Sequence, residues 1–433
     1  MFNKKTIKDI SLKGKSVLMR ADYNVTLNNT VVVDDYRIRE SVETIKAILQ
    51  AGAENLVIIS HLGRPEGKVD ANLSLKPVAK RLGDLLGKKV EFANDCIGSQ
   101  VKSAVASLPN GGILLLENLR FHPEEEKNDP AFAKAIVEAT DAQVFVQDAF
   151  GAAHRAHAST DAITKLLPSV AGLLLEKEVT TITQVIKEPK RPFTAVIGGA
   201  KIPDKIDVLS RLIELADCVA VGGALANDFL RAERIEVGAS KQDQGSLHLA
   251  RELIEKARRA EKARGFSFLV PVDAVVSKSI DGKSPVRIVD LSSHTLSGLE
   301  SYPKKPDVKS FMVGSNEMIL DIGPVSAGII AGAIHLSKTV IWGGTLGVTE
   351  TKGLAGAIAP FAQGTRVVVE AIIGASNHHA NKPFSLVGGG DTVSYIEQQK
   401  LTADFNHVST GGTASLELIA GHKLPAVEAL ADK

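Results

Sequence analysis

Residues 386–392 read L-V-G-G-G-D-T and residues 409–416 read S-T-G-G-T-A-S-L. Each is an apolar or β-branched run that ends in glycines and opens into a helical pattern, with Asp391 or Thr413 near the first turn. Strand, tight turn and helix N-terminus in that order are the unit of an α/β fold. Glycine lets the backbone come close to a ligand, and the free N–H groups of a helix N-terminus point at negative oxygens. One such cluster alone is an ordinary βα turn. Two so close together, with an aspartate suited to Mg2+, point to phosphate.

Outward from this stretch, the chain has 433 residues, more than one hydrophobic core usually covers, so two domains are expected. Hydrophobic residues make up 44% and aromatic residues only 4%, which suits an aliphatic α/β interior. A net charge of +1 supplies no broad basic field, which argues against a nucleic-acid partner. No apolar run approaches the ~18 residues of a membrane span, and M-F-N-K-K-T-I-K-D lacks a signal-peptide core, so the expectation is a cytoplasmic protein without a membrane partner. Cys96 and Cys218 form no metal-spaced pair and read as buried apolar residues in a reducing compartment.

In the first half, short apolar runs alternate with helical patterns, the signature of a parallel sheet covered on both faces. The runs are Ser16 to Met19, Asn55 to Ile59, Gly112 to Leu116 and Gln143 to Val146. After them come Arg20, Arg64, Arg120 and Arg155, and Arg37 sits in D-D-Y-R before a helix running to Gln50. Ligands of open α/β sheets bind outside the carboxyl ends of the strands, so these arginines are expected to converge on one crevice. Their guanidinium forks suit carboxylate and phosphate, with Asp22, Asn24, His61 and His154 available for hydroxyls and remaining oxygens. His154 and His157 leave a metal pair open as an alternative, but no third ligand stands at convincing spacing and anion contacts are favoured. The run E-E-E-K at 124–127 reads as a solvated loop before a helix opened by Asp129 and Pro130.

From Val170 a long helical pattern runs to E-P-K-R-P and is expected to connect two domains. The strands of the second half finish in glycine, at 194–201, 219–225, 339–347 and 385–391, and the cations there are Lys201 and Lys205. These glycines are read as opening space for a flat or phosphorylated ligand. Between Lys278 and Gly323 the alternation weakens, and loops with an irregular edge are expected. Neither G-x-x-x-x-G-K-[ST] nor G-x-G-x-x-G after a strand is present, which disfavours a P-loop ATPase and a Rossmann dehydrogenase.

In this order the motifs resemble one family, phosphoglycerate kinase: R-A-D-Y-N-V at 20–25, S-H-L-G-R-P at 60–65, L-L-L-E-N-L-R-F-H at 114–122, D-A-F-G-A-A-H-R-A-H-A-S at 148–159, G-G-A-K at 198–201, D-I-G-P at 321–324, G-G-G-D at 388–391 and S-T-G-G at 409–412. The resemblance covers essentially the full length. It implies an α/β fold of two Rossmann-like domains with parallel sheets, facing each other across a cleft. Residues 1–168 would bind phosphoglycerate, 169–187 form the interdomain helix and 188–405 bind nucleotide, with the tail 406–433 packing back on the first domain. The implied reaction is reversible, Mg2+-dependent phosphoryl transfer between 1,3-bisphosphoglycerate and ADP, in line after domain closure, by a monomer. By similarity, Asp22, Asn24, Arg37, His61, Arg64, Arg120, His154 and Arg155 match the acid site. Gly199, Lys201, Lys205, Gly223, Glu350, Gly388, Gly389, Gly390, Asp391 and Thr392 match the nucleotide site, with Glu350 on the ribose and Asp391 on Mg2+. Arg37, Lys201, Gly389, Gly411 and Gly412 match the groups around the transferred phosphoryl.

The chain departs from the family pattern at four places. It has Trp342-Gly343-Gly344-Thr345 for W-N-G-P, Thr349 for phenylalanine, Pro203 for serine and Thr413 for a third glycine. A β-branched residue at 413 is expected to be uncomfortable where backbone and phosphate meet. All four lie on the nucleotide side, and the alternative they raise is a phosphoglycerate-binding protein with an impaired nucleotide site. Retention of Lys201, Lys205, Asp391 and Arg37 favours the enzyme.

Overall fold

The structure, a computed structural model, describes residues 2–291, 312–352, 359–375 and 382–433. Two compact units divide the chain: Met1–Gln184 with Thr410–Leu418 and His422–Lys433, and Val185–Ser409 with Ile419–Gly421.

Eight strands belong to the first unit: β1 (Ser16–Arg20), a small hairpin of β2 (Leu27–Asn28) and β3 (Val31–Val32), β4 (Asn55–Ile59), β5 (Glu91–Ala93), β6 (Gly112–Leu116), β7 (Val144–Gln147) and β8 (Ser169–Ala171). All but the hairpin form one parallel sheet in the order β5-β6-β4-β1-β7-β8. Its four central strands are buried from end to end, which is why each reads as a continuous apolar run. Alternation along them splits the interior into two cores. Val17, Met19, Leu56, Ile58, Val144 and Val146 face one way, onto Ile38, Ile45 and Val78 of the helices Tyr36–Gln50 and Lys76–Leu86. Leu18, Val57, Ile59, Leu114 and Phe145 face the other, onto Val101, Phe132 and Ile136 of the helices Gly98–Ala106 and Pro130–Thr140. The second of these begins as its sequence suggests: Asp129 caps it, accepting from Ala131 N at 2.7 Å, and Pro130 holds the first position.

The long connecting pattern is not one helix over 169–187. Ser169–Ala171 pair with β7 as β8, and the helix runs Leu173–Lys187. Its free N-terminal amides meet the buried Asp148 carboxylate, which accepts from Leu174 N at 3.0 Å and Leu175 N at 3.2 Å. Burial pushes the Asp148 carboxyl up to about 7. The boundary between the units falls inside this helix, after Gln184.

The second unit has β9 (Phe193–Ile197), β10 (Cys218–Val221), β11 (Ser267–Leu269), β12 (Asp273–Ser277), β13 (Val286–Asp290), β14 (Met318–Ile322), β15 (Thr339–Gly343), β16 (Phe384–Gly388) and β17 (His407–Val408). Six make a parallel sheet in the order β11-β10-β9-β15-β16-β17. The remaining three pair antiparallel in the order β13-β12-β14. Where loops were expected between Lys278 and Gly323, the described residues therefore carry two strands, and 292–311 lie outside the described residues. β13 shows the half-exposed alternation of a sheet edge, and Val286 and Ile288 face solvent.

The C-terminal residues complete the first unit. Lys5 N donates to Ala431 O at 2.8 Å, Lys433 N to Asn3 O at 2.9 Å and Ala426 N to Ala153 O at 3.2 Å. The buried Lys4 ammonium donates to Glu428 O and Leu430 O and pairs with Asp432 at 2.8 Å. No helix among the described residues is long and apolar enough to cross a membrane.

Candidate functional site

Loops at the carboxyl ends of β1, β4, β6 and β7 bring most of the expected acid-site residues together in the first unit. Asp22, two residues past β1, lies 3.5 Å from Arg37 Nη1 and accepts from Asn24 N at 3.1 Å. Arg37 is in the first turn of its helix rather than ahead of it, and donates to Asn24 O at 2.7 Å. Asn24 Oδ1 accepts from Gly63 N at 2.9 Å, and Gly63 O accepts from Arg120 Nη1 at 2.8 Å, so the loops after β1, β4 and β6 are stitched to one another. Arg120 and Arg155 approach the same carboxylate oxygen of Glu126, at 3.3 and 3.8 Å. Arg155 Nε donates to His154 Nε2 at 3.1 Å. Arg64 is exposed and makes no hydrogen bond or ion pair among the described residues.

Arg20 differs from the other arginines. Alternation places it on the Leu18 face, under the sheet end, and it is 1% exposed. It donates to Ser159 Oγ at 2.8 Å and to His61 Nδ1 at 3.1 Å. Behind it, Glu125 is also 1% exposed and accepts from Ser159 Oγ at 2.6 Å and Ser159 N at 3.0 Å. The reading of 124–127 as a solvated loop is thus corrected at Glu125, whose carboxyl burial pushes upward while Arg20 and Ser159 oppose it. Burial and then the charges of Arg20, Arg120 and Arg37 hold His61 well below the usual imidazole range, and the same kinds of cause bring His157 to about 3. Both rings are neutral at pH 7. Among the described residues, Asp95, Cys96 and His122 bring one ligand atom each within 4.8 Å of one another. The 2.8 Å hydrogen bond from His122 to Asp95 and the buried thiol, pushed well up by desolvation, account for that grouping without an ion.

In the second unit the glycine loops divide into two kinds. A Cβ on Gly198 would lie 2.1 Å from Thr345 O, one on Gly344 2.3 Å from Gly198 O, and one on Gly223 2.9 Å from Thr345 O. These glycines let backbone pack on backbone where β9, β10 and β15 end, which corrects the reading of all of them as space for a ligand. Gly390 is different, with nothing within 4 Å of its Cβ position. It opens the helix Gly390–Gln398, after Gly389 at φ 95. Gly388 ends β16 beside Gly343, and Thr392 Oγ1, in the helix's first turn, accepts from Gly344 N at 2.7 Å. Asp391 in that same turn is exposed and makes no hydrogen bond or ion pair among the described residues.

Lys205 reaches back over Gly199 and donates to Gly198 O at 2.6 Å. Burial lowers its ammonium to about 8, against the charges of Asp391 and Asp204. Lys201 and Glu350 are exposed and make no hydrogen bond or ion pair among the described residues. Pro203 occupies the first position of the 3-10 turn Pro203–Lys205, where a missing N–H costs nothing.

Gly411 and Gly412 belong to the first unit. Gly411 packs, its Cβ position 2.3 Å from Phe150, whereas Gly412 is open at φ 52. Thr413 begins the helix Thr413–Ala420, so the left-handed residue is Gly412 and the backbone at 413 carries no φ strain.

The sequence profile of phosphoglycerate kinase matches residues 7–422. The chain belongs to that family. The phosphoglycerate kinase of Moorella thermoacetica is 42% identical over 430 residues, covering 99% of this chain and all of the relative. That of Dictyoglomus turgidum is 43% identical over 433 residues, with 99% of this chain and all of the relative covered. Among solved structures, phosphoglycerate kinase from Coxiella burnetii matches with TM-score 0.76 at 32% identity and that from Pyrococcus horikoshii with 0.77 at 27%, each over 98% of both chains. The chain is accordingly a phosphotransferase of the phosphoglycerate kinase reaction, between 1,3-bisphosphoglycerate with ADP and 3-phosphoglycerate with ATP. Sequence reasoning missed Glu125 and Ser159. The one signal was that Ser159 closes the motif 148–159; nothing marked Glu125 out among three glutamates.

Proposed function

We propose that the first unit carries the phosphoglycerate site and the second the nucleotide site of this phosphoryl transfer. Asp22, Asn24, Arg37, His61, Arg64, Arg120, His154 and Arg155 take the acid. The observation that carries this is the stitching of three strand-end loops through Asn24, Gly63 and Arg120, beside guanidinium groups with protons to spare. Gly199, Lys201, Lys205, Gly223, Glu350, Gly388, Gly389, Gly390, Asp391 and Thr392 serve the nucleotide. The packed glycines among them shape the loop floor, and the open Gly390 presents amides to phosphate.

Asp391 suits Mg2+: it is an exposed carboxylate without a competing partner among the described residues, beside open backbone, and one carboxylate plus phosphate oxygens is the usual arrangement for this ion. Bound there, the ion neutralises phosphate charge. The acceptor in the ATP-consuming direction is a carboxylate, already ionised at pH 7, so no side chain needs to act as general base. What the protein supplies is position and positive charge for an in-line transfer: Arg37 and Lys201, with the amides of Gly389, Gly411 and Gly412, face the phosphoryl in flight. The neutral His61 donates one hydrogen bond to the acid. The reading includes a monomer acting in the cytoplasm.

The test is calorimetry with 3-phosphoglycerate. Arg64→Ala and Arg155→Ala should each weaken binding by about 1.5–3 kcal/mol, the range of a charge-assisted hydrogen bond. Unchanged affinity in both variants sinks the placement of the acid.

A further inference from the structure

Arg20, Ser159 and Glu125 are all essentially inaccessible to water, at 1%, 0% and 1% exposure, and they lie behind His61 rather than in front of it. An arginine side chain carries only donors. Ser159 Oγ, 2.8 Å from Arg20 Nε, must therefore accept, and its single proton is left for Glu125 Oε1 at 2.6 Å. His61 Nδ1, 3.1 Å from Arg20 Nη2, must likewise accept, which puts the imidazole proton on Nε2. The donor-only guanidinium and the acceptor-only Glu125 carboxylate together fix the direction of every hydrogen bond in this row. Glu125 also lies 3.9 Å from Arg20 Nη2, so the buried cation has its counterion without any substrate. Arg20 is thus occupied on the protein side, unlike Arg64.

We propose that Glu125 and Ser159 are positioning residues for phosphoglycerate: through Arg20 they hold His61 with its Nε2–H as a fixed donor toward the acid. This rests on the placement of the acid in the first unit given above. Removing the carboxylate charge or the bridging hydroxyl loosens Arg20, which keeps its bond to Ala21 O, and His61 then samples the other tautomer, which offers the acid a lone pair where it needs a proton.

The experiment uses the full-length chain and the variants Glu125→Gln and Ser159→Ala. Nitrogen NMR of the His61 ring at neutral pH should show Nε2 protonated and Nδ1 bare in the parent protein, and a mixture in both variants. The KM for 3-phosphoglycerate should rise about tenfold, the size of one charge-assisted hydrogen bond, while the KM for ATP stays within about twofold. Should Glu125→Gln fail to fold, Ser159→Ala, which keeps the charge, carries the test. A parent ring protonated on Nδ1 overturns the proposal, as does a variant set with altered melting temperature but unchanged tautomer and KM. If Arg155→Ala still weakens acid binding while these variants are silent, only the positioning role fails; if Arg155→Ala is silent too, the placement of the acid fails.

Discussion

Lys201 and Lys205 follow the same strand and meet opposite surroundings. Lys205 is fixed onto a backbone carbonyl and desolvated, with its ammonium lowered to about 8. A bound phosphate chain favours the ammonium form, so nucleotide binding draws in a proton once the free side chain has lost it. The expected outcome is that ADP affinity in the presence of Mg2+ falls as pH rises through about 8, and that Lys205→Met removes this fall; titration calorimetry across that range checks it. Lys201 is exposed and without a partner among the described residues, and on the function proposed above its charge serves the transferring group. Lys201→Ala should lower kcat by roughly 100- to 1,000-fold with little change in either KM, as loss of a transition-state donor does. Steady-state kinetics that show intact kcat and a raised KM for ADP would make it a nucleotide anchor instead. Arg64, Arg120 and Arg155 were legible in the sequence because each follows a strand that could be recognised. Glu125 was not, since one glutamate of three turns inward only because Ser159 and Arg20 wait there, and nothing local records that.

Among the elements, the central strands were legible to within a residue because burial on both faces leaves unbroken apolar runs. β8 was absorbed into the helix that follows, since S-V-A is three residues long and only Gly172 separates it from L-L-L-E-K-E. The strands β13 and β14 escaped because an edge strand alternates weakly and turns interrupt it. Glycines mark the limit of sequence reading most sharply: the letter is the same whether the missing Cβ admits a phosphate or a neighbouring backbone. Gly198→Ala should cost about 1–3 kcal/mol or more in stability, because the atoms it would strike are carbonyls of a packed loop. Gly390→Ala, with open space around it, should leave the melting temperature nearly unchanged. Thermal unfolding of the two variants decides this, and equal losses would refute the division of the loops into packed and open.

At the scale of the whole molecule, the first unit is assembled from separated lengths of chain. Leu424, Val427 and Leu430 are buried in it, and complete burial of such side chains stabilises by about 1.5–3 kcal/mol each. Deleting residues 422–433 removes a total comparable to the reserve of an ordinary domain. Amide exchange should then accelerate throughout β1 and β4–β8 while β9–β17 keep their protection; a uniform loss across both units would contradict the division at Gln184.

The hydrogen bonds from Lys5 to Ala431 and from Lys433 to Asn3 also set an order of events in the cell. Synthesis delivers residues 2–184 first, yet the last pieces of their unit leave the ribosome only after the whole of the second. The part of the chain made earliest must wait, with an unfinished edge, while the part made next has nearly all its own residues to hand. The nascent protein therefore completes its second unit before its first.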